Sequence, residues 1–502
     1  MSNTTLTIRA DAPIGTISPR LYGHFAEHLG RCCYDGLWVG ANRTDIPQRG
    51  GFRTDVIAAL HALPVPMLRW PGGCYADHYH WRDGIGPANE RPVRLGMSCG
   101  LQVEDDNSLG THEFLAFCAA IGAEPYLAGN VGSGTPQELC DWLEYCNTAV
   151  ATTLGRERAR NGALAPFGVK LWGVGNENWG CGGNYDAATY ACEYVRYATM
   201  LRHVDPSAAL VVCGFDDTWN VELLSTIGKH AGLVDHLSIH HYWTHGGAEI
   251  EFSEAEYYTL LTEAGAAEEF VKRTAAIIQD ATGGILMNGR GKRPIGIALD
   301  EWGVWHPEAR PWGPGEVSRR APVTYEQAGT LRDALAAAVA LEGFHRQCQV
   351  LTLANLAQVV NVLHAPVMTD GARMWLTPTY HALRMHTPHI GATALPVDIA
   401  HGDSLPDGSS AVSATASRTD DGVAVTLINR HYQNPASVRL VCAVVPERAA
   451  GQLLAADSPR AYNSAGTPDR VAPTVLAIQR DGRDGWLVEL PPHSMATVVF
   501  RA

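Results

Sequence analysis

The sequence predicts an α/β fold: a (β/α)8 barrel, or TIM barrel, with a C-terminal antiparallel β-sandwich. Over the first 385 residues, eight short apolar or β-branched runs alternate with helix-like stretches. Such alternation is typical of parallel strands, and eight repeats of it close a barrel. From about residue 388, short segments with period-two alternation are separated by Gly, Pro, Asp and Asn, which predicts a sandwich of antiparallel strands.

The barrel prediction depends on the order of the runs along the chain. The predicted strands are 17–25, 66–70, 124–128, 169–174, 209–213, 236–239, 295–299 and 349–353. The most helix-like stretches between them are 113–121, 136–147, 185–203, 266–280 and 325–344.

The sandwich prediction depends on five segments near the C-terminus. They cover 410–416, 423–427, 437–444, 474–478 and 486–500. The strand-like stretch 5–10 precedes the barrel, and we expect it to join that sheet. The predicted domains are therefore 16–387 for the catalytic barrel, and 1–15 together with 388–502 for the sandwich.

Composition excludes several classes of partner. The chain has 502 residues, 46% of them hydrophobic, and a net charge of -14 from 38 basic and 52 acidic residues. An acidic surface argues against nucleic-acid or anionic-membrane binding but tolerates a neutral sugar. No apolar run reaches the roughly 20 residues that span a bilayer, and the N-terminus lacks a signal-peptide pattern. We therefore expect a cytoplasmic protein that binds neither nucleic acid nor membrane.

The twelve cysteines show no CxxC pair and no regular spacing. In a chain of this length the pattern predicts reduced, buried cysteines. The vicinal pair Cys32 and Cys33 is interpreted as packing, because adjacent cysteines rarely form a disulfide.

Two glutamates at strand tips carry the functional hypothesis. Glu177 lies in Gly-Asn-Glu-Asn after the fourth run, and Glu301 lies in Asp-Glu-Trp after the seventh. Glycoside hydrolysis needs an acid for the departing oxygen and a carboxylate that captures the oxocarbenium ion. A single strand-end glutamate is commonly a surface residue or a cap, but two in these contexts favour a retaining glycosidase. Its carboxyl groups should lie about 5–5.5 Å apart, not the roughly 6.5–9.5 Å of an inverting enzyme.

Further polar residues follow the other predicted strands. A barrel brings the C-terminal ends of all its strands to one face, where active sites form. These residues are His24, Glu27, Arg69, Asn130, Asn176, His240, Tyr242, Asn355 and Gln358.

Glu27, Arg69 and Cys74 have more specific candidate roles. Glu27 is either a sugar ligand or a structural partner of Arg69, and the two roles are compatible. Arg69 would keep the nucleophile ionised through its positive charge. Cys74 would be a nucleophilic thiol only with a His and Asn partner, for which the sequence shows no plausible order.

A metal or cofactor site is not expected. His240 and His241 point to opposite faces of a strand, and the region around them, including His245, has no HExxH pattern. The glycine-rich stretch 173–183 lacks both nucleotide-binding patterns. His240 and Tyr242 share a face instead, where both would contact sugar.

Tryptophans also cluster near the predicted site loops. Each one alone is more often a core residue, but exposed ones would form sugar subsites. They are Trp179, Trp302, Trp305 and Trp312.

Ordered motifs give the chain a specific resemblance. They include Tyr-Gly-His-Phe-Ala-Glu-His-Leu-Gly-Arg at 22–31, Arg-Trp-Pro-Gly-Gly-Cys at 69–74 and Trp-Arg-Asp-Gly-Ile-Gly-Pro at 81–87. Gly-Thr-His-Glu-Phe at 110–114, the two glutamate motifs and Gln-Val-Val-Asn-Val-Leu at 358–363 complete the set. With these motifs the chain resembles family 51 glycoside hydrolases, the α-L-arabinofuranosidases, over nearly its whole length.

The resemblance implies net retention of anomeric configuration, with Glu177 as acid/base and Glu301 as nucleophile. It implies a homo-oligomer, with a hexamer as one candidate form, and an arabinose-containing oligosaccharide as substrate. The expected activity is exo-acting release of terminal arabinofuranose from arabinoxylan or arabinan oligosaccharides by double displacement. The predicted substrate-binding residues are Glu27, Arg69, Cys74, Asn176, His240, Tyr242, Trp305 and Gln358.

Two alternatives accompany this hypothesis. The same fold and mechanism would serve β-xylosides or β-glucans, because loop shape decides the pocket. A non-catalytic carbohydrate-binding protein is disfavoured by the intact pair of Glu177 and Glu301.

Overall fold

Eight parallel strands close into a barrel in the computed structural model, which describes residues 2–283, 286–288, 291–312, 323–442, 448–482 and 485–501. Each strand pairs in parallel with the next, and the eighth pairs with the first. The predicted (β/α)8 barrel is confirmed. In chain order the strands are Gly23–Phe25, Met67–Trp70, Glu124–Gly129, Leu171–Val174, Ala209–Val212, His236–Trp243, Gly296–Val304 and Leu351–Ala357.

The α-helices surround the barrel and begin at recognisable capping residues. Thr135 accepts the Glu138 N–H at the start of one helix, and Ser253 and Glu256 form a capping box at the start of the longest. The helices are Thr54–Ala62, Thr111–Ile121, Pro136–Asn147, Thr153–Arg160, Ala187–Val204, Asp217–Ile227, Glu254–Thr282, Leu331–Arg346 and Pro378–Met385.

Several predicted boundaries were wrong for local reasons. The first strand was expected over 17–25, but Ser18 and Pro19 begin a 3-10 helix, Pro19–Tyr22, that shortens it. The helix expected over 325–344 begins only at Leu331, because Thr330 forms a capping box with Asp333.

The sixth to eighth strands run past their predicted ends. Cross-strand pairing continues, with His240 opposite Glu301 and Tyr242 opposite Gly303. His240, Tyr242, Glu301 and Asn355 therefore lie on strands, not on the loops that follow them. The expectation that Glu301 ends the seventh strand was wrong, because that strand continues to Val304.

Two further sheets form the sandwich. In order, the seven-stranded sheet contains Gly15–Thr16, Thr393–Leu395, Val412–Thr419, Gly422–Asn429, Ser494–Arg501, Arg448–Leu454 and Thr474–Val475. The five-stranded sheet contains Val397–Ala400, Ser2–Ile8, Ala436–Cys442, Gly485–Leu490 and Ile478–Asp481.

The N-terminal strand joins the sandwich, as expected, but not purely antiparallel. Ser2–Ile8 pairs antiparallel with Val397–Ala400 and parallel with Ala436–Cys442. The inner faces of both sheets share one apolar cluster that includes Leu6 and Val425. Residues 443–444 of the predicted strand 437–444 lie outside the described residues. The domain boundaries 16–387, and 1–15 with 388–502, stay a prediction.

Short two-stranded ribbons complete the described strands. The ribbon Arg94–Ser98 with Leu101–Asp105 brings its turn to the C-terminal face of the barrel. The others are Gln48–Arg49 with Phe52–Arg53, Leu286–Asn288 with Gly291–Arg293, and Val367–Asp370 with Arg373–Leu376. Among the described helices, none is both long and apolar enough to cross a membrane.

Candidate active site

A cavity of about 490 Å³ opens at the C-terminal ends of the barrel strands. Eight of the ten predicted site residues line it: Glu27, Cys74, Glu177, His240, Tyr242, Glu301, Trp305 and Gln358. Sequence reasoning missed other lining residues, among them Gly73, Cys99, Cys181, Phe215 and Thr244.

Arg69 and Asn176, the remaining two predicted site residues, lie beneath the cavity. Arg69 donates through Nη1 to Glu301 Oε1 at 2.7 Å and through Nη2 to Asn176 Oδ1 at 2.6 Å. Only 1% of the Arg69 side chain is exposed, so its charge acts on Glu301 and not directly on a ligand in the cavity.

Glu301 is held at both carboxylate oxygens. Arg69 donates to Oε1, and the Tyr242 hydroxyl donates to Oε2 at 2.7 Å. The Glu301 side chain is 6% exposed. The position of this carboxylate is therefore fixed before any substrate binds.

Asp300 forms a charged layer under Glu301. It accepts from the Tyr126 hydroxyl at 2.7 Å and the Ser238 hydroxyl at 2.5 Å, and its Oδ1 lies 3.3 Å from His240 Nε2. Burial opposes the charged form, but Arg69, His240 and Ser238 outweigh it and hold the pKa of Asp300 well below its usual range. The sequence carried a signal for Ser238, since it alternates with His240 and Tyr242 along one strand face.

Glu177 lies on the loop after the fourth strand in an unusual backbone conformation. Its φ is +41°, and Gly175 two residues earlier has φ +87°. A non-glycine residue in this region costs about 1–3 kcal/mol, so surrounding contacts must impose it. Asn178 helps, because its Nδ2 donates to the Gly182 carbonyl at 2.7 Å. A Cβ on Gly175 would stand 2.1 Å from Asn178 Oδ1, so glycine is required there.

His240 links the two glutamates electrostatically. Its Nδ1 donates to Glu177 Oε1 at 2.9 Å and lies 3.6 Å from Glu301 Oε2. Burial favours the neutral ring, but the charge of Glu301 and hydrogen bonds to Asp300 and Glu177 raise the pKa of His240 to about 10. The neighbouring carboxylates therefore favour the charged, imidazolium form of His240.

The two glutamates face each other across a short gap. One carboxylate oxygen of Glu177 and one of Glu301 lie within 4.8 Å of each other. This separation belongs to the shorter class, in which there is no room for an attacking water between the carboxylate and the sugar. The arrangement can therefore carry out double displacement.

Glu27 lies on the cavity wall with partners other than Arg69. Its Oε1 accepts from the Ser98 hydroxyl at 2.8 Å and the Tyr75 N–H at 3.1 Å, and its Oε2 accepts from Gln358 Nε2 at 3.0 Å. Burial, together with the charge of Glu301, raises the pKa of Glu27 to about 7.

Cys74 and Cys181 form a disulfide, so the expectation of twelve reduced cysteines was wrong. The two residues are 107 positions apart in sequence, and the loops after the second and fourth strands bring them together. Cys74 in this state has no thiol that could act as a nucleophile. Cys32 and Cys33 are free and buried, as expected.

Aromatic side chains surround the mouth of the cavity. Trp305 packs against Tyr242 and Trp312 with ring centroids 5.0 and 4.7 Å apart, and Trp179 stacks on Phe215 at 4.0 Å. Trp312 is 46% exposed. Trp302, also considered from the sequence, is buried against Phe344 of the helix Leu331–Arg346 and does not line the cavity.

Three polar residues predicted at strand ends have structural partners and do not line the cavity. Asn130 accepts the backbone N–H groups of Ser133 and Gly134. Asn355 donates to the His24 carbonyl at 2.8 Å, and His24 Nδ1 bonds to the Tyr22 carbonyl.

The barrel and the closely spaced carboxylate pair define a retaining glycoside hydrolase. Sequence profiles described as the α-L-arabinofuranosidase 1 domain and the α-L-arabinofuranosidase C-terminal domain match residues 59–259 and 300–494. The chain is 38% identical to the intracellular exo-α-L-arabinofuranosidase of Bacteroides ovatus, covering 99% of this chain and 95% of the relative. The chain belongs to glycoside hydrolase family 51, a retaining family, and is an α-L-arabinofuranosidase.

Solved structures of family 51 arabinofuranosidases match this chain over nearly its full length. The family 51 arabinofuranosidase of Xanthomonas axonopodis pv. citri is 34% identical, with a TM-score of 0.91 and complete coverage of both chains. The α-L-arabinofuranosidase of Thermotoga maritima, solved as an arabinose complex, is 28% identical with a TM-score of 0.85, covering 99% of each chain.

Proposed function

We propose that the enzyme is exo-acting and removes single terminal arabinofuranose units from arabinoxylan or arabinan oligosaccharides. The observation that carries this proposal is the pair of glutamates on the wall of one cavity of about 490 Å³. A cavity of that volume accommodates a terminal sugar ring together with part of its leaving group. The Bacteroides ovatus relative is itself named as exo-acting.

Glu301 is the proposed nucleophile in the first step. Its carboxylate attacks the anomeric carbon, and Glu177 gives its proton to the glycosidic oxygen as that bond breaks. The products are the free leaving group and an ester between Glu301 and arabinose. In the second step Glu177 takes a proton from water, the oxygen of that water attacks the same carbon, and Glu301 leaves as a carboxylate with net retention.

The contacts of the two glutamates support this division of roles. Arg69 and Tyr242 bind both oxygens of Glu301 and stabilise it as an anion before attack and after release. Glu177 Oε1 is bound by His240, and Oε2 faces the sulfur atoms of Cys74 and Cys181 at 3.9 and 3.7 Å, so Oε2 is the oxygen proposed to protonate the leaving group and then to accept a proton from water.

The other predicted residues complete the proposed sugar site. Glu27 and Gln358 would bind sugar hydroxyls, and Tyr242 and Trp305 would contact the ring. Cys74 would shape the wall together with Gly73, whose missing side chain leaves space beside Glu27. Arg69, Asn176 and His240 would act by positioning the two glutamates.

Assembly and location are part of the proposal. We propose a homo-oligomer, with a hexamer as one candidate, and a cytoplasmic location. The word "intracellular" in the name of the Bacteroides ovatus relative supports the location.

A substrate panel tests the proposal. Chromogenic α-L-arabinofuranosides should be hydrolysed much faster than the matched β-xylosides and β-glucosides. With arabino-oligosaccharides, monomeric arabinose should appear from the first time point, and NMR should show the retained anomer initially. Comparable rates on a xyloside or glucoside, or early release of internal fragments, would contradict the proposal.

A further inference from the structure

Two cysteine sulfurs and one carboxylate oxygen lie together on one wall of the cavity. The sulfur atoms of Cys74 and Cys181 both face Glu177 Oε2, at 3.9 and 3.7 Å. One ligand atom from each of these three residues lies within 4.8 Å of the other two. Thiolates and a carboxylate are donors that Zn²⁺ and related thiophilic divalent ions prefer.

The spacing of these atoms fits a tetrahedral ion. With Zn–S about 2.3 Å and Zn–O about 2.0–2.2 Å, a sulfur and an oxygen on one tetrahedral ion lie about 3.5–3.7 Å apart. The two sulfur-to-oxygen distances, 3.9 and 3.7 Å, are close to this separation. On the same ion two thiolates would be about 3.8 Å apart, so the bonded sulfurs of Cys74 and Cys181 must separate before they can share an ion.

We propose that reduction of the Cys74–Cys181 disulfide converts this wall into a binding site for a thiophilic divalent cation such as Zn²⁺ or Cd²⁺. A thiol or phosphine reductant supplies two electrons, the S–S bond breaks, and each sulfur takes up one proton. The cation then replaces both thiol protons and the proton of Glu177, binds the two thiolates and Glu177 Oε2, and keeps a water as its fourth ligand.

The surroundings favour a cation at this position. His240 bonds to Oε1 of Glu177 and leaves Oε2 directed at the sulfurs. Cys181 is exposed, so an ion reaches the site from solvent. The carboxylates of Glu301 and Asp300 balance the cationic groups of Arg69 and His240, so each thiolate, and Glu177 once its proton is displaced, adds negative charge that attracts the cation.

A second group of possible ligands nearby is less suitable. It combines Glu177, His240 and Glu301, whose ligand atoms also lie within 4.8 Å of one another. Both Glu301 oxygens already accept hydrogen bonds from Arg69 and Tyr242. His240 donates to carboxylates and has no free lone pair while protonated. A thiolate-specific signal separates the two possibilities.

A cation bound at this site should inhibit hydrolysis of the substrate. A cation on Glu177 Oε2 would block proton transfer to the leaving oxygen, so metal sensitivity should appear only after reduction. This consequence rests on the proposed role of Glu177, whereas metal binding itself does not.

Cd²⁺ titration of the full-length enzyme tests the proposal. After phosphine reduction and removal of the reductant under argon, Cd²⁺ should produce a thiolate-to-metal charge-transfer absorption that saturates at one equivalent. The oxidised enzyme should give no such band. Zn²⁺ should compete for the same site and inhibit arabinofuranoside hydrolysis, and a chelator should restore the activity.

Variants locate the site. Cys181→Ser should weaken Cd²⁺ binding by more than about 100-fold, because loss of a ligand exceeds the 10–100-fold effect of losing an outer-shell partner. Glu177→Gln should weaken Cd²⁺ binding but keep the charge-transfer band, whether or not Glu177 is the acid/base. Cys192→Ser is the matched control, since this thiol is free and exposed on the helix Ala187–Val204 and does not line the cavity.

Three results would overturn the proposal: a reduced wild-type enzyme with no saturable band, an unchanged band in Cys181→Ser, or loss of the band in Cys192→Ser. Circular dichroism and thermal melting of each variant exclude misfolding as the cause of a lost band.

Discussion

The Tyr242 hydroxyl should assist the second chemical step more than the first. It donates to Glu301 Oε2 at 2.7 Å, and the substitution Tyr242→Phe removes this hydrogen bond. Glu301 is an anion in the free enzyme and a neutral ester in the intermediate. The hydrogen bond therefore strengthens as Glu301 leaves the sugar during hydrolysis of the intermediate, and weakens while Glu301 attacks.

The magnitude follows from this difference. The net contribution of a hydrogen bond is about 0.5–1.5 kcal/mol when the partner is neutral and about 1.5–3 kcal/mol when it is charged. The difference is about 1–1.5 kcal/mol. At 1.36 kcal/mol per tenfold, hydrolysis of the intermediate should slow about 5- to 13-fold. The rate at which the intermediate forms should change less than about threefold. Glu301 is already an anion before it attacks, and Arg69 still binds one of its oxygens in the variant.

Steady-state and stopped-flow kinetics on an aryl arabinofuranoside with a good leaving group separate the two steps. In Tyr242→Phe, kcat should fall about tenfold, kcat/KM should be nearly unchanged, and a burst of released phenol should appear. The matched control is Tyr75→Phe, since the Tyr75 hydroxyl also donates to a buried carboxylate, Asp105, at 2.9 Å, but Tyr75 does not line the cavity. Equal losses of kcat and kcat/KM, or the same kinetic change in Tyr75→Phe, would refute the reasoning.

Two further predictions concern pH. Burial lowers the pKa of His386 to about 4, so the unfolded chain binds the proton more readily; this part of the stability is complete above pH 6.5 and falls as the pH drops. Between pH 8 and pH 5 this lowers the free energy of unfolding by about 2 kcal/mol. Measured by urea unfolding, the pH dependence of that free energy should be smaller by this amount in His386→Asn than in the wild type. An equal pH dependence in the two proteins would contradict the prediction. Burial and the charge of Glu301 raise the pKa of Glu27 to about 7, so KM should fall as Glu27 ionises above that pH and accepts hydroxyl hydrogen bonds more strongly. Glu27→Gln should lose this inflection in the KM profile, and its persistence would remove Glu27 from sugar binding.

The barrel and most of the residues that line the cavity could be predicted from the sequence. Glu177 and Glu301 could be placed on one face because the C-terminal ends of all barrel strands meet there. Alternation along the sixth strand likewise predicted that His240 and Tyr242 share a face. These inferences use only the alternation of side chains along a strand and the order of the strands, neither of which depends on details of packing.

Properties that depend on distant contacts could not be predicted. No spacing pattern connects Cys74 with Cys181, because their bond requires two loops to meet across the barrel face. Arg69 was expected both to support the nucleophile and to bind substrate. It contacts Glu301 as expected, but Glu301 and Asn176 occupy its guanidinium, a geometry that strand order does not specify. The parallel pairing of Ser2–Ile8 was missed because a sequence shows alternation but not direction.

Azide rescue tests the proposed roles of the glutamates most directly. Glu177→Ala should still form the intermediate from substrates with good leaving groups but hydrolyse it slowly, because no base activates the water. Added azide needs no base, so it should restore turnover and give an arabinofuranosyl azide of retained configuration. Glu301→Ala should be inactive and give no retained azide product. Rescue of Glu301→Ala with retention, or of Glu177→Ala with inversion, would contradict the assignment of Glu301 as nucleophile and Glu177 as acid/base.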